Sequence, residues 1–335
     1  MNLAPRLFVS FSTTLLALFL GGCGKSGSTL QQDEKGLSKI PFQTDWYPQA
    51  EHGGFYQALA KGYYKEAGLD VEILPGGPGN HPQTAPAGFE MSRADDAIFG
   101  INQGRPMVIV AAFMEHDIHA LMLHAESPVN SFKDLDGKVV MASPGSAMVK
   151  YLEGHYGIHM NYIPLNYGLA QFMADKNFIQ QCFITSEPYF VEKAGVKVKT
   201  MLISNAGYEN YRVITTSGKL AREHPEIVRA FVAASIKGWT DFITGDPSPA
   251  KAMIAARNSQ MTADLMDYSI KAMKDLNVVT GYLDKGERVG LMTRKRMQAQ
   301  LDALKSFKIV EPDLPLEKVV DFSFLPADLR PLVED

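Results

Sequence analysis

Apolar segments typical of strands alternate with helical segments along most of the chain, and this alternation restricts the fold to the α/β class. Residues 42–46 predict a strand, residues 54–67 a helix that ends at Gly68, and residues 69–74 a second strand. Residues 108–113 and 120–123 predict further strands. These segments form a first α/β unit.

A second unit of the same kind follows. Residues 138–142 predict a strand, residues 147–156 a helix, and residues 179–184 another strand. Pro188 comes directly after that strand, at a place that suits the first turn of a helix. The sequence therefore predicts two successive α/β units.

The chain becomes helical after a strand predicted at residues 211–216. Pro225 begins a helix with apolar residues at helical spacing that ends at Gly245, and residues 261–276 and 293–307 predict two more. A helical tail of this length must pack against other elements. The simplest arrangement returns it to the first unit, so that the second unit is an insertion joined by two crossovers.

The N-terminus has the pattern of a secretory signal. Arg6 supplies a positive charge, and the apolar segment 8–20 is too short to span a bilayer. Leu20-Gly21-Gly22-Cys23 resembles the lipobox of bacterial lipoproteins, which predicts a signal peptide over 1–22 and a lipidated Cys23. We expect residues 23–39 to be a flexible tether, and the protein to be periplasmic and anchored by lipid. The alternatives are an ordinary signal peptide followed by an unmodified Cys, or a buried core Cys.

Composition narrows the function classes. With 46% apolar residues, 21% charged residues and a formal net charge of −4, the mature chain is predicted to be a soluble globular protein. Its basic residues are not dense enough anywhere for nucleic acid to be a partner. Cys182 is the other cysteine, so an acylated Cys23 leaves no disulfide and no cysteine zinc site. We expect Cys182 to be a small core residue.

Several motifs resemble one family. They are the stretches 45–55, 60–71, 134–138, 185–189 and 225–239. Together they are similar to the NMT1/THI5-like family, which includes SsuA-type sulfonate-binding proteins and thiamine-pyrimidine proteins. The resemblance implies a two-lobed α/β periplasmic-binding-protein fold of type II, with two crossovers and the helical C-terminal tail packed on lobe 1.

The same resemblance implies a role as the solute-binding receptor of an ABC importer. Lobe 1 is predicted at 40–122 and 213–335, and lobe 2 at 123–212. The expected partners are a small-molecule ligand and the permease and ATPase subunits, and the expected state is a monomer that contacts the membrane only through its lipid. A receptor that signals to a sensor is an alternative from another class.

The ligand of such a fold is expected between the lobes, at the carboxyl ends of the parallel strands. Trp46 and Tyr47 end the first predicted strand, and His52 and Phe55 lie at the start of the next helix. The resemblance implies that aromatic side chains here stack on a flat heterocycle. The alternative is that Trp46 is a core residue.

Glu187 is predicted to face the cleft, because it follows a strand and precedes Pro188. The resemblance implies that its carboxylate accepts a hydrogen bond from a ring nitrogen or amino group of the ligand. A helix-capping carboxylate without a ligand role is the alternative. A carboxylate beside the ligand favours an N–H donor over an anionic sulfonate.

Further ligand contacts are predicted in lobe 2 and at the crossover. The backbone amides of Ser143, Gly145 and Ser146 lie between a strand and a helix, where they can hold a carbonyl or an anion. Tyr189 and Tyr211 are candidates for an aromatic cage around the ligand.

An enzymatic role is disfavoured. The yeast branch of the family makes the thiamine pyrimidine from pyridoxal phosphate held by a lysine, with iron and a cysteine-rich motif. This chain has no cysteine cluster and no lysine within 93–102, so we predict no catalytic residue, no metal and no cofactor. Thiamine pyrimidine precursors such as formylaminopyrimidine or hydroxymethylpyrimidine come first as ligands, riboflavin second and taurine-like aliphatic sulfonates third. Gln49-Ala50-Glu51 departs from the pyrimidine branch, which favours Asn-Thr-Asn.

Overall fold

A computed structural model of the chain describes residues 31–77, 88–143 and 146–331. The predicted signal peptide, Cys23 and the predicted tether up to residue 30 lie outside these residues, as does Gly145. The end of the predicted tether is wrong: Ser38 and Lys39 already belong to the first strand, where they pair with Leu69 and Asp70. Backbone pairing with a second strand orders these residues although their side chains are polar.

The described strands form two five-stranded sheets. The first has the order β2-β1-β3-β10-β4, with β1 at Ser38–Gln43, β2 at Leu69–Leu74, β3 at Phe89–Arg93, β4 at Met107–Met114 and β10 at Arg212–Ser217. The second has the order β7-β6-β8-β5-β9, with β5 at His119–His124, β6 at Val139–Ala142, β7 at Asn161–Pro164, β8 at Ile179–Phe183 and β9 at Val198–Leu202.

Both sheets follow one plan. In the first, β1 runs parallel to β2 and β3, and β10 is antiparallel to β3 and β4. In the second, β6 runs parallel to β7 and β8, and β5 is antiparallel to β8 and β9. The chain enters the second sheet between β4 and β5 and returns between β9 and β10, which confirms the two-lobed α/β architecture with two crossovers.

The lobe boundary predicted between residues 122 and 123 is wrong, and strand pairing places it earlier in the chain. The whole of β5 pairs within the second sheet, for example Ala120 with Cys182, so the chain changes lobes between Met114 and His119. The return falls just before Arg212, one residue earlier than predicted. Because β4 and β5 are both apolar, only their partners reveal which sheet each belongs to.

The described helices cover the sheets. They are α1 Gly53–Ala60, α2 Tyr63–Glu66, α3 Ala94–Asn102, α4 Ala147–Tyr156, α5 Ala170–Ala174, α6 Glu187–Lys193, α7 Gly218–Glu223, α8 Pro225–Thr244, α9 Ser248–Arg257, α10 Ala263–Asp275, α11 Arg294–Ser306 and α12 Leu316–Val319. The single helix predicted at 54–67 is wrong, because Gly62 adopts a left-handed conformation between α1 and α2. Among the residues that the structure describes, no helix is long and apolar enough to cross a membrane.

Two glycines let α1 approach α8 closely. A Cβ atom on Gly53 would lie 2.1 Å from the Phe242 ring, and one on Gly54 would lie 2.1 Å from the Trp239 ring. Side chains at these positions would push the helices apart. This close contact fixes the amino end of α1, where Glu51 and His52 lie.

The helical tail packs on lobe 1, as predicted. Helices α8 and α9 contact α1, α11 contacts α3, and α12 contacts β4. The tail also reaches lobe 2, since the Ser269 hydroxyl of α10 donates to the Thr185 carbonyl at 2.7 Å. The tail therefore joins the two lobes as well as completing the first.

The two crossovers lie side by side. His116 of the first crossover contacts Glu209 of the second through Nδ1 at 3.2 Å, and Arg296 of α11 contacts the same carboxylate at 3.2 Å. Nε2 of His116 lies 2.9 Å from Glu287. These contacts connect both crossovers to the tail, at the place where a hinge between the lobes must lie.

Candidate ligand-binding site

Residues after the carboxyl ends of β1 and β8 meet between the lobes. Glu51 of lobe 1 accepts a hydrogen bond from the Thr185 hydroxyl of lobe 2, and both side chains are buried. The Trp46 ring of lobe 1 lies 5.1 Å from the Tyr167 ring of lobe 2. The cleft is closed in this structure.

The lobe-1 wall of the cleft consists of Asp45, Trp46, His52 and Arg212. The Arg212 guanidinium donates to Asp45 Oδ2 at 2.6 Å, and His52 Nε2 lies 3.0 Å from Asp45 Oδ1. Burial alone would raise the pKa of Asp45, but Arg212 and His52 lower it to about 2. Asp45 is therefore a fixed anion that orients both of its partners.

Two buried nitrogens of this wall make no hydrogen bond within the described residues. They are Nδ1 of His52 and Nε of Arg212. The His52 side chain is completely buried, and an unpaired buried polar atom is costly. Nδ1 of His52 can therefore serve a polar group of a ligand.

The lobe-2 wall consists of Tyr167, Thr185 and Glu187. The Phe183 amide donates to Glu187 Oε2 at 2.8 Å, and Glu187 is the first residue of α6. Burial, with a smaller contribution from the nearby Glu51 carboxyl, raises the pKa of Glu187 to about 7 against the opposing effect of the Phe183 amide. Near neutral pH this carboxyl can accept a hydrogen bond or, when protonated, donate one.

Glu51 lies between the two walls. Burial raises its pKa, and the hydrogen bond from Thr185 opposes that shift. The cleft thus holds two carboxyl groups whose pKa is raised, Glu51 and Glu187, and one whose pKa is lowered, Asp45.

The aromatic predictions have mixed outcomes. Trp46 is half-buried and contacts Tyr47 at 5.6 Å, and Tyr47 is exposed at the rim. Phe55 as a ligand contact is wrong: it is completely buried, with Phe42 4.5 Å and Phe113 5.0 Å away. It lies on the face of α1 that packs against the sheet and α8, so it belongs to the lobe-1 core.

Tyr189 and Tyr211 do not form the predicted cage. Tyr189 packs on Tyr268 of α10 at 5.4 Å, and its hydroxyl accepts a hydrogen bond from Lys193. Tyr211 is buried beneath Arg296, whose guanidinium carbon lies 3.8 Å from the ring centroid. Tyr211 precedes β10 and turns toward the tail, which the sequence did not reveal.

The loop of Ser143, Gly145 and Ser146, whose backbone amides were predicted to bind the ligand, makes hydrogen bonds within the protein. The Ser143 amide donates to Gln181 Oε1 at 3.2 Å, and the Ser146 hydroxyl accepts from the Val149 amide as the cap of α4. Gly145 lies outside the described residues. Cys182 is buried within β8, and burial raises the pKa of its thiol well above the usual range, which confirms it as a core residue.

Several cleft residues were missed from the sequence. Asp45 and Glu51 stand in the motif that contains Trp46, so their charge beside a predicted stacking residue was a usable signal. Thr185 stands in the motif 185–189 with Glu187, but its contact with Glu51, like that of Arg212 with Asp45, spans more than a hundred residues of chain and had no sequence signal. Tyr167 lies between the helix predicted at 147–156 and the strand predicted at 179–184 and was equally hidden.

The two sheets and two crossovers of this chain form the two-lobed fold of periplasmic binding proteins. The periplasmic aliphatic sulphonate binding protein SsuA from Escherichia coli superposes with a TM-score of 0.61 at 12% identity, over 84% of this chain and 92% of that one. At this identity the similarity establishes the fold alone.

The family model described as "NMT1/THI5 like" matches residues 49–250, and the chain belongs to this NMT1/THI5-like family. The formylaminopyrimidine-binding protein of Halalkalibacterium halodurans is 26% identical over 260 residues, which are 73% of this chain and 77% of that protein. The riboflavin-binding protein RibY of Chloroflexus aurantiacus is 24% identical over 219 residues, 61% of this chain and 62% of that protein.

Proposed function

We propose that the protein is the solute-binding receptor of an ABC importer and captures a flat nitrogen heterocycle between its lobes. A thiamine pyrimidine precursor, such as formylaminopyrimidine or hydroxymethylpyrimidine, is the first candidate. The relative named for formylaminopyrimidine supports this choice, and riboflavin is the second candidate because another relative is named for it. The receptor acts outside the cytoplasm, held by a lipid on Cys23, and delivers its ligand to a permease and its ATPase.

The observation that carries the proposal is the place where the lobes meet: the Trp46 ring lies 5.1 Å from the Tyr167 ring, Glu51 accepts a hydrogen bond from Thr185, and the carboxyl groups of Glu51 and Glu187 lie near each other. Trp46 offers an aromatic face, and the two carboxyl groups offer acceptors whose raised pKa values suit N–H groups. An aminopyrimidine has both the flat ring and the N–H donors. Ring stacking and hydrogen bonding would together fix its orientation.

The electrostatics of the cleft disfavour a sulfonate. Arg212 and His52, the basic side chains of the lobe-1 wall, each contact the Asp45 carboxylate, which balances their charge, and each keeps one nitrogen without a partner among the described residues. A sulfonate beside Glu51 and Glu187 would be a third acidic group without a cation of its own. The cleft therefore suits a neutral or weakly basic ligand better than an anion.

Capture proceeds by closure of the lobes. In the open form Trp46 receives the ring, and closure then brings Thr185 and Glu187 to the polar edge of the ligand. Closure excludes water and is favoured to the extent that the ligand binds the closed form better than the open form. A role in binding rather than synthesis agrees with the missing lysine in residues 93–102.

The test is a calorimetric and thermal-shift titration with a formylaminopyrimidine, riboflavin and taurine. We expect the pyrimidine to bind, and Trp46→Ala to weaken its binding by about 1–3 kcal/mol while the melting temperature of the free protein stays the same. Phe99→Ala, which removes an exposed ring of α3 in the same lobe, is the matched control. Binding of taurine alone would refute the choice of ligand class.

A further inference from the structure

Tyr167 adopts an unusual backbone conformation in the loop between β7 and α5. Its φ is 60°, and the other described non-glycine residues with positive φ are Asn277 and Lys308. The left-handed region is unfavourable for a bulky side chain, although asparagine tolerates it. Such a conformation persists only where the surrounding structure imposes it, and it is frequent at functional sites.

The loop around Tyr167 is firmly anchored. The Gly168 amide donates to the Asn166 side chain at 2.9 Å, and the Gly168 carbonyl accepts from the buried Gln180 side chain at 3.0 Å. On the other side, the Leu165 amide donates to the Ala142 carbonyl at 3.2 Å. Tyr167 is therefore held in place by β6 and β8, on the lobe-2 side of the cleft.

The Tyr167 ring gains little from core packing. Its side chain is 57% exposed, the largest exposure of any described aromatic residue, yet the ring contacts Trp46 at 5.1 Å with a tilt of 38°. The fold thus imposes an unfavourable backbone conformation on a residue that it does not bury. The result is an aromatic pair with one ring from each lobe.

We propose that Tyr167 binds the ligand directly, as the lobe-2 half of an aromatic clamp whose lobe-1 half is Trp46. This inference rests on the proposed function, since it assigns a further residue to the same site. A flat ring stacked between two others requires their centroids to lie roughly 7 Å apart, twice the ordinary contact distance of about 3.5 Å. The centroids of the Trp46 and Tyr167 rings lie 5.1 Å apart, so the two rings need to separate by only about 2 Å to admit a flat ring between them.

The clamp sets the class of ligand. Once their centroids are about 7 Å apart, the two aromatic faces cover both sides of a flat ring, and each stacked pair adds to the binding free energy. A short aliphatic sulfonate is not flat and cannot occupy both faces. Tyr167 therefore discriminates against aliphatic ligands by shape, independently of the charges near Glu187.

A competing role for Tyr167 is that of a lid that only covers Trp46 in the free protein. A ligand would then have to displace the Tyr167 ring, so removing the ring would strengthen binding. The clamp requires the opposite effect. The two roles are therefore separated by the sign of the change in affinity.

The experiment measures Kd for a formylaminopyrimidine and for riboflavin by calorimetry on the purified protein, Tyr167→Phe, Tyr167→Ala and Tyr167→Gly. We expect the Ala and Gly variants to raise Kd roughly tenfold and the Phe variant to stay within about threefold, because the ring and not the hydroxyl makes the contact. Tyr167→Gly should at the same time raise the melting temperature, because glycine suits a positive φ. If Tyr167 had a purely structural role, Tyr167→Gly would not raise the melting temperature and weaken ligand binding at the same time.

Phe190→Ala is the matched control, since Phe190 is an exposed aromatic residue of the same lobe that contacts Tyr189 instead of Trp46. Its Kd should equal that of the parent. Unchanged or tighter binding by Tyr167→Ala, with a parent that binds flat rings, would overturn the clamp and leave the proposed function intact. A parent that binds taurine and neither flat ring would overturn both.

Discussion

Buried carboxyl groups on the two sides of the cleft behave in opposite ways. Asp45 of the lobe-1 wall has a pKa lowered to about 2, whereas Glu187 of the lobe-2 wall has a pKa raised to about 7. Burial acts in the same direction on both. The difference comes from their partners: Asp45 contacts the Arg212 guanidinium, while Glu187 has a backbone amide and another carboxyl group, Glu51, nearby.

The carboxyl groups of the site therefore have two different roles. The charged cluster around Asp45 fixes the geometry of lobe 1 and joins β1 to β10 through Arg212. Glu51 and Glu187, whose pKa values are raised, each use one carboxyl oxygen within the protein and can exchange hydrogen bonds with an incoming N–H group through the other. The lobe-1 wall around Asp45 is therefore the rigid wall, and the lobe-2 wall with Glu187 is the adaptable wall. The two walls meet when the lobes close.

The largest expected effect follows from breaking the rigid wall. Arg212→Ala leaves Asp45 buried without its guanidinium, and we expect a loss of about 3–5 kcal/mol in the free energy of unfolding, measured by urea denaturation. Arg294→Ala removes an exposed ion pair with Glu317 and should cost less than about 1 kcal/mol. Equal effects in both variants would contradict the assignment of Arg212 to a buried pair.

Asp45→Asn tests the same wall from its acidic side. The native pKa of about 2 lies below the ordinary value of 3.8, so the unfolded state binds more protons in this range and Asp45 stabilises the fold above about pH 4. This contribution, about 2 kcal/mol, is lost as the pH falls toward 2. We expect Asp45→Asn to lower stability at pH 7 and to flatten the acid limb of the stability curve, measured by urea denaturation at each pH.

Glu187→Gln tests the adaptable wall, and the sign is reversed. The native pKa of about 7 exceeds the ordinary 4.5, so the native state binds more protons and the stability of the parent falls as the pH rises from about 4.5 to 7. Glutamine stays neutral, so the variant should gain about 3 kcal/mol relative to the parent between pH 4 and pH 8. A parent and variant with parallel stability curves would show that Glu187 titrates normally.

The smallest effect concerns the contact between the walls. Thr185→Val keeps the shape of the side chain and removes the hydroxyl that Glu51 accepts from, and we expect a loss of about 1 kcal/mol in stability. Thr185→Ser retains the hydroxyl and is the control. Small-angle scattering of the free protein should show a more open average for the Val variant alone, because the hydrogen bond joins the lobes.

The sequence was sufficient for the outline of the molecule and for part of the site. Strand and helix periodicity depends on local burial, so the two α/β units and the helical tail could be recognised, although β3, β7 and β9 were not predicted. The motif that contains Trp46 and the Glu187-Pro188 pair each follow a strand, which placed these residues at the cleft. Phe55 was misplaced because periodicity identifies an apolar face without saying whether the sheet or a ligand covers it.

Local sequence by itself determined the class of fold and the segments after two strands that carry Trp46 and Glu187, since these depend on spacing over a few residues. Only the tertiary structure decided which sheet receives β5, that Arg212 neutralises Asp45, that Thr185 reaches Glu51, and that Tyr167 faces Trp46. These contacts join positions far apart in the chain. The pKa values of Asp45 and Glu187 depend on which groups the two crossovers bring together. No local sequence pattern encodes those neighbours.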